Sequence, residues 1–189
     1  MSENAREAIL EAARIAAQHY GYNGINFRSI GETVGIKNAS IYYHFPSKAE
    51  LGAAVAKRYW EDTARVLEAM REENPDPLQC LRAYPNIFRK SLEDGNRLCL
   101  SSFMAAEYLD LPEGVKKEIL AFADTNVAWL AALLDEITPG DSQSNERRAR
   151  AIYTAIAGAQ LIARTRADLR VFDELIQSYR DVGLIPNAG

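Results

Sequence analysis

Residues 21–51 read GYNGINFRSIGETVGIKNASIYYHFPSKAEL, and this stretch decides the fold. Asn26 can cap the amino terminus of a short helix, and Gly35 can end that helix in the left-handed conformation that glycine adopts most readily. A second short helix is predicted over residues 38–44, and Pro46 ends it because the residue before a proline disfavours helical backbone. Two short helices around a glycine turn are typical of a helix-turn-helix motif, whose second helix enters the major groove of DNA.

The remainder of the chain has the composition of an all-α protein. Ala, Leu, Glu and Arg dominate, and no alternating β-branched segment reaches the length of a strand. Ser47 followed by Glu50 predicts a capping box at the start of the helix after the motif. Pro85 should kink a long helix, since proline lacks the N–H group that a helix interior needs. The apolar spacing and the Gly and Pro breaks predict nine helices, over residues 3–20, 26–34, 38–44, 47–73, 78–93, 98–108, 112–137, 145–166 and 171–182.

These helices predict two domains. Residues 1–46 form a three-helix head with the helix-turn-helix motif, and residues 47–189, which begin with a connecting helix, form a larger helical domain. Residues 1–60 carry seven Lys and Arg against five Asp and Glu, a net +2, and the remainder carries fifteen against twenty-one, a net −6. A mildly basic head on an acidic body suits an anionic partner for the head.

Several classes of protein are disfavoured by what the sequence lacks. No apolar run reaches 18 residues, and the polar segment 1–7 is unlike a signal peptide, so we expect a cytoplasmic protein with no membrane contact. The only cysteines are Cys80 and Cys99, which fits a reducing compartment. The only histidines are His19 and His44, and no metal-binding spacing occurs, so we expect no metal and no cofactor. No grouping of histidine, acid and nucleophile at motif spacing favours an enzyme.

The second helix of the motif carries polar groups on its outer face. Ile36 and Ile41 point inward across the turn, and Ala39 is small enough to approach a sugar or a thymine methyl group closely. Lys48 lies in the first turn of the next helix, where backbone N–H groups and the helix dipole favour a phosphate. An ordinary solvated corner would show the same polar pattern, so the spacing alone leaves both interpretations open. The outward-facing donors are Lys37, Asn38, Ser40, Tyr42, Tyr43 and His44.

The residues of this motif closely resemble the signature of the tetracycline-repressor (TetR/AcrR) family. The block YYHFPSK at residues 42–48 is the most specific part, and the resemblance covers roughly residues 5–60. The rest of the chain resembles the family only in the number and order of its helices. The resemblance implies a nine-helix homodimeric repressor in which the first three helices bind double-stranded DNA. It also implies a larger domain that binds a small inducer, and a dimer formed by the eighth and ninth helices.

The resemblance also implies roles for individual residues of the head. Asn26 caps the second helix and, with Arg28, faces phosphate. The residues that face bases or the adjacent backbone are Lys37, Asn38, Ala39, Ser40 and Tyr43, and those that hold phosphates are Tyr42, His44 and Lys48. The chain departs from the family at three positions, because Lys37 stands where Ser or Thr is frequent, Ala39 where Gly is frequent, and Ser29 where an acid is frequent. The operator sequence therefore cannot be inherited from a relative.

The predicted larger domain offers a less specific set of candidate ligand-binding residues. Bulky or soft side chains line ligand pockets and equally fill ordinary cores. A kink at Pro85 opens space between packed helices, and the scarcity of inward charges favours a largely apolar or aromatic ligand. Small residues in the eighth helix at positions 155 and 157–159 permit close helix contact, either in a dimer or inside one subunit. The candidate pocket residues are Tyr84, Phe88, Cys99, Phe103, Met104, Tyr108, Phe122, Trp129 and Tyr153, with Cys80 of the same type.

The sequence thus predicts a homodimeric transcriptional repressor that a small ligand releases from a near-palindromic operator. One alternative is a repressor that senses electrophiles or oxidants through Cys99, because Arg97 and a helix amino terminus both stabilise a thiolate. The apolar neighbours Leu98, Leu100 and Phe103 argue against that reactivity. Two further alternatives are a helical protein-interaction module without DNA binding and a helical enzyme.

Overall fold

The computed structural model describes residues 3–187 and is all-helical over that range, which confirms the predicted fold class. Two short 3₁₀ turns lie at Tyr22–Gly24 and Tyr108–Asp110. The α-helices are α1 (Glu3–Tyr20), α2 (Phe27–Val34), α3 (Asn38–His44), α4 (Lys48–Glu73), α5 (Pro77–Ala83), α6 (Pro85–Glu93), α7 (Leu100–Ala106), α8 (Glu113–Ile137), α9 (Ser142–Arg166) and α10 (Leu169–Asp181).

The predicted fifth helix is present as the kinked pair α5 and α6. Tyr84 between them keeps right-handed helical angles, with φ −51° and ψ −41°. Pro85 begins α6, where its missing N–H group interrupts the hydrogen-bond ladder. Counted as one kinked helix, the pair gives the nine helices expected, and α9 and α10 are the predicted eighth and ninth.

Three predicted helices have different bounds in the structure, and capping side chains explain two of the differences. The predicted sixth helix is shorter, since α7 covers only Leu100–Ala106 and a 3₁₀ turn follows. α9 begins three residues earlier than predicted because the Asp141 side chain accepts a hydrogen bond from the Ser144 N–H. α10 begins two residues earlier because Asp168 caps it through the Arg170 N–H.

Contacts divide the chain into two compact units. The first unit runs from the amino-terminal end to Asp62 and also includes Leu100–Phe122. Compactness does not identify which residues bind DNA or a ligand, so the functional boundary after Pro46 stays a prediction. The core of this unit draws on both segments and contains Ile9, Leu10, Ala13, Ala17, Ile25, Ile30, Ile41, Phe45, Leu51, Val55, Leu100, Met104, Leu111, Val115 and Ile119.

The second unit comprises Thr63–Cys99 and the chain from Ala123 onward. Within it, α10 packs on α9 and on α6. Gln160 of α9 is fully buried, donates from Nε2 to the Phe88 carbonyl at 2.7 Å, and accepts from the Cys99 N–H at 2.8 Å. This one side chain therefore ties α9 to α6 and to the segment that leads into α7.

Within residues 3–187, no helix combines the length and the apolar character that a membrane crossing needs. Over the same range, no cluster of three or more His, Cys, Asp or Glu side chains is arranged to hold a metal ion. Met1 and Ser2 of the polar segment 1–7, which is predicted not to be a signal peptide, lie outside the described residues.

Candidate nucleic-acid interface

The turn between α2 and α3 is built from a capped helix and two glycines. Asn26 Oδ1 accepts hydrogen bonds from the Arg28 and Ser29 N–H groups at 3.0 and 3.1 Å, as the sequence predicted. Gly35 closes α2 with φ 75°, a left-handed conformation. A Cβ atom on Gly31 would lie 2.9 Å from the Ile36 carbonyl oxygen, so the turn accepts no side chain there. Gly31 was not among the predicted site residues, although a glycine in a helix interior lowers helix stability and can mark a packing requirement.

The second helix of the motif, α3, is anchored by one buried side chain and presents the others. Ile41 is completely buried, whereas Tyr42 and Tyr43 are 56% and 72% exposed. The Tyr42 ring makes an edge-on contact with Phe27 at 4.8 Å between centroids, and Tyr43 makes a similar contact with His44 at 5.2 Å. Two large exposed aromatic rings on a seven-residue helix leave polar tips available for a partner. Of the other predicted contact residues, Lys37, Asn38 and Ala39 are exposed, and Ser40 and His44 are half-buried.

Lys48 lies at the amino-terminal end of α4, against an aromatic ring. Its Nζ atom is 4.4 Å from the centroid of the Tyr22 ring, which is within the range of a cation–π contact. Partial burial is the main cause that lowers the pKa of Lys48, and the Glu107 carboxylate acts in the opposite direction. Ser47 caps α4 by accepting the Glu50 N–H at 3.1 Å, which is half of the predicted capping box. The ammonium group is therefore held near a helix amino terminus rather than extended into solvent.

A cavity of about 370 Å³ brings five predicted DNA-contact residues together on the first unit. Arg28 on its wall forms an exposed ion pair with Glu32 at 3.2 Å, and such a pair holds the guanidinium only weakly. Two cations and several amide and hydroxyl groups make the cavity suited to a phosphate oxygen. The predicted residues that line it are Asn26, Arg28, Asn38, Tyr42 and Lys48, joined by Asn23, Ile25 and Phe27, which the sequence analysis had not named.

Four of the predicted ligand-binding residues form one aromatic cluster in the second unit. Tyr84 stacks on Trp129 and meets Phe88 edge-on, each at 5.8 Å between centroids, and Phe88 lies 6.3 Å from Tyr153. The buried Tyr84 hydroxyl donates to Asn126 Oδ1 at 2.7 Å. Burial is the main cause that raises the pKa of Tyr84 and of Tyr153. The cluster is therefore an apolar, uncharged environment with one buried polar pair.

Four other candidate pocket residues, which lie within Leu100–Phe122 of the chain, belong to the first unit. Met104 and Phe122 are buried there, and Phe122 stacks on Tyr59 at 5.4 Å. Phe103 is half-buried, and Tyr108 is exposed. The structure thus divides the predicted pocket residues between two units and does not bring all of them into one cluster.

The surroundings of Cys99 favour an inert thiol. Cys99 is only 2% exposed, and its N–H group bonds to the buried Gln160. The Arg97 guanidinium, expected to stabilise a thiolate, forms an ion pair with Asp94. Reactive thiols need access to solvent, so this geometry does not favour the electrophile-sensing alternative.

A larger surface cavity of the second unit lies between α8 and α9. Its volume is about 650 Å³, and small apolar side chains of α8 form one wall. None of the predicted ligand residues lines this cavity. The lining residues are Ala123, Asp124, Val127, Ala128, Ala131, Asp135, Ser142, Glu146 and Arg150.

The capped helix, the glycine turn and the exposed short helix define a helix-turn-helix unit in an all-α protein. The sequence model of the family described as "Bacterial regulatory proteins, tetR family" matches residues 9–55. The crystal structure of a TetR-family transcriptional regulator from Agrobacterium tumefaciens superposes with a TM-score of 0.86 at 28% identity, covering 95% of this chain and 97% of that one. Residues 9–55 therefore match the amino-terminal domain of the TetR family, and the chain as a whole is similar in fold to a TetR-family regulator.

Two curated relatives carry the name HTH-type transcriptional repressor AcnR. The protein from Corynebacterium diphtheriae is 40% identical over 67 residues, which is 35% of this chain and 34% of that protein. The protein from Corynebacterium efficiens is 27% identical over 135 residues, which is 70% of this chain and 61% of that protein. These alignments therefore span about a third and about three fifths of the relatives' own length.

Proposed function

We propose that the protein is a homodimeric DNA-binding transcriptional repressor whose release from the operator is controlled by a small ligand. The observation that carries the proposal is the cavity where Asn26, Arg28, Asn38, Tyr42 and Lys48 meet beside the exposed face of α3. Its position next to the second helix of a helix-turn-helix unit supports DNA as the partner. The names of the aligned Corynebacterium relatives support repression over activation. A cytoplasmic location is part of the same proposal.

The contacts divide into two physical roles. Residues around the cavity, with Lys48 and Arg28 as the cations, hold phosphates, and phosphate contacts fix the register of a protein on DNA without reading sequence. Exposed side chains of α3, above all Asn38 and Tyr43, meet base edges in the major groove. Tyr42, on the cavity wall, and His44 also hold phosphates. Lys37, Ala39 and Ser40 complete the face directed at the bases.

The proposed dimer pairs α9 and α10 of two copies. Leu161 and Ile162 of α9 are adjacent large apolar side chains that are 49% and 48% exposed, so a second copy that covers them would bury apolar surface. A Cβ atom added to Gly158, one turn earlier, would meet no atom within 4 Å. Pairing of this face should bury about 1,500–2,500 Å² in total. A two-fold dimer then requires a near-palindromic operator, with half-sites about one DNA turn apart or slightly more.

The proposed ligand is small, uncharged and largely apolar or aromatic. The cluster of Tyr84, Phe88, Trp129 and Tyr153 supports this chemistry because aromatic walls with one polar pair bind such molecules. Ligand binding should raise the melting temperature of the protein and release bound DNA. A Trp129→Leu variant should lose both responses to the same compound while keeping its affinity for DNA.

The decisive test of DNA binding is selection of duplexes from a random pool, followed by binding titrations at several salt concentrations. Lys48→Ala should weaken binding to all sequences alike and reduce the salt slope by about one phosphate contact per subunit. Asn38→Ala and Tyr43→Ala should instead change which sequences are preferred. Lys57→Ala removes an exposed lysine of the same helix and should leave both properties unchanged.

Failure to bind any duplex at low salt would refute the proposal and favour the protein-interaction module. A change of base preference in Lys48→Ala with an unchanged salt slope would refute the assignment of roles.

Light scattering tests the dimer. At micromolar concentration the protein should have twice the chain mass of 21.0 kDa, and Leu161→Glu should shift it toward the monomer. A wild-type protein that scatters as a monomer would refute this part of the proposal.

A further inference from the structure

Glu107, which follows α7, directs its carboxylate into the 3₁₀ turn that precedes α2. Its Oε2 atom accepts the Tyr22 N–H at 2.6 Å, and its Oε1 atom lies 3.5 Å from Asn23 Nδ2. The carboxylate also occupies the space that a side chain on Gly21 would need, and Gly21 has φ 67°. A charge-assisted bond of this length is among the stronger hydrogen bonds in proteins. Glu107 therefore ties the turn at residues 21–23 to a segment more than 80 residues later in the chain.

The same turn supports Lys48. The Tyr22 ring lies under the Lys48 ammonium group, 4.4 Å from it. The ring also packs against α4 so closely that a Cβ atom on Gly52 would lie 2.7 Å from it. Packing against α4 therefore restricts the Tyr22 ring, and the bond to Glu107 holds the Tyr22 backbone. The Lys48 ammonium group thus contacts a ring whose position is fixed.

Glu107 also acts on Lys48 through its charge. The carboxylate favours the protonated lysine, which offsets part of the effect of burial on the Lys48 pKa. Both Lys48 and Asn23, the two groups that Glu107 influences, line the 370 Å³ cavity. Glu107 thus contacts one polar group of that wall through Asn23 and acts on a second, Lys48, through its charge.

We propose that Glu107 is a positioning residue of the DNA interface, which orients Lys48 toward a phosphate through the backbone and ring of Tyr22. This inference rests on the proposed function. The bond to the Tyr22 N–H needs an acceptor at the end of a side chain of this length, and a neutral amide oxygen can supply it. The negative charge of Glu107 repels a phosphate, which opposes its support of the protonated lysine, so we assign the benefit of Glu107 to its geometry.

The test compares Glu107→Gln, Glu107→Ala and Glu107→Asp in titrations of a labelled operator duplex at several salt concentrations. Glu107→Ala and Glu107→Asp should weaken DNA binding about five- to tenfold. Alanine has no acceptor for the Tyr22 N–H, and the shorter aspartate side chain cannot reach it. Both should also lower the salt slope by nearly as much as Lys48→Ala does. Glu107→Gln keeps the acceptor and should bind within about twofold of the wild type.

A double variant separates positioning from general damage. Lys48→Ala added to Glu107→Ala should cause little further loss if both act on one contact, whereas independent effects would add. Glu113→Ala removes an exposed carboxylate of the same unit, bonded to Lys116 at 2.8 Å, and should leave the salt slope unchanged. Amide exchange of the Tyr22 N–H should accelerate in Glu107→Ala and not in Glu107→Gln, and the melting temperature of each variant verifies folding.

The inference is overturned if Glu107→Ala keeps the wild-type salt slope, or if its effect and that of Lys48→Ala add in full. Loss of binding in Glu107→Gln equal to that in Glu107→Ala would also overturn it, because charge and not the tether would then matter. A wild-type protein that binds no duplex refutes the proposed function and this inference together. Normal binding by wild type with a weakened Lys48→Ala and an unaffected Glu107→Ala refutes only the inference.

Discussion

Replacement of the buried Gln160 by leucine should destabilise the protein by about 2 kcal/mol. The Cys99 N–H loses an acceptor at 2.8 Å, which costs about 1–3 kcal/mol in a buried site. The Phe88 carbonyl loses a donor at 2.7 Å, a net contribution of about 0.5–1.5 kcal/mol. Leucine has a similar volume and recovers roughly 1 kcal/mol by apolar burial.

For a chain of this length, the loss corresponds to a melting temperature lowered by about 4–8 °C. Urea unfolding followed by circular dichroism measures the free energy, and a thermal scan measures the midpoint. Gln143→Leu, at an exposed position of the same helix, should change stability by no more than about 0.5 kcal/mol. A Gln160→Leu protein as stable as the wild type would refute the reasoning that these two bonds hold α9 to α6 and to the segment around Cys99.

The Gln160→Glu variant adds a pH test of the same site. Ionised glutamate can accept from Cys99 but cannot donate to the Phe88 carbonyl, and burial raises the pKa of such a carboxyl group. A group whose folded pKa is raised contributes stability below its unfolded pKa and loses that contribution as pH rises through the folded pKa. The variant should therefore lose stability relative to the wild type between about pH 5 and pH 8, and a pH-independent difference would contradict this account.

Three other predictions follow from buried or capping groups. Tyr84→Phe removes a buried hydroxyl that donates at 2.7 Å and should cost about 1–2 kcal/mol in urea unfolding, whereas unchanged stability would mean that the bond contributes nothing. Hydrogen bonding to the Arg170 side chain is the main cause that lowers the pKa of Asp168 in the folded protein. The stability that Asp168 contributes is therefore fully present above the ordinary pKa of an aspartate, and it is lost as pH falls through the lowered pKa of the folded state. The stability difference between wild type and Asp168→Ala should accordingly shrink in acid, and a difference that grows in acid would contradict the assignment. Cys80 and Cys99 are both buried, and burial raises the pKa of Cys80, so alkylation at neutral pH should be slow at both; fast modification of Cys99 with loss of operator binding would restore the electrophile-sensing alternative.

The head was predictable because its signals are local. Asn26 and Ser47 cap the helices that begin within two residues of them, and Gly35 ends α2 by its own backbone angles. The bounds of α1 and α3 agree with the prediction for the same reason. Asp141 and Asp168 are equally local caps, but apolar periodicity begins only some residues after each of them and therefore predicts both helix starts too late.

The long-range contacts could not be predicted from one sequence. Glu107 meets Tyr22 across 85 positions and Gln160 meets Cys99 across 61, and neither pair has a pattern that marks it in the chain. The candidate ligand residues were chosen by residue type and helix. Residue type does not distinguish the core around Met104 from the aromatic cluster around Tyr84. The structure therefore divides the predicted pocket residues between that core and that cluster.

The first compact unit is discontinuous in sequence, and this has a consequence for chimeric regulators. The segment Leu100–Phe122, which follows the helix-turn-helix motif by more than 50 residues, also belongs to this unit. It contributes Leu100, Met104 and Val115 to the core. A graft that transplants only the amino-terminal segment onto a relative would place that core against foreign side chains, and cores of mismatched volume are destabilised. Under the proposed function, operator specificity is therefore best exchanged by recoding the exposed positions of α3 alone. A graft of the whole head needs the returning segment, with Glu107 in it, as part of the same cassette.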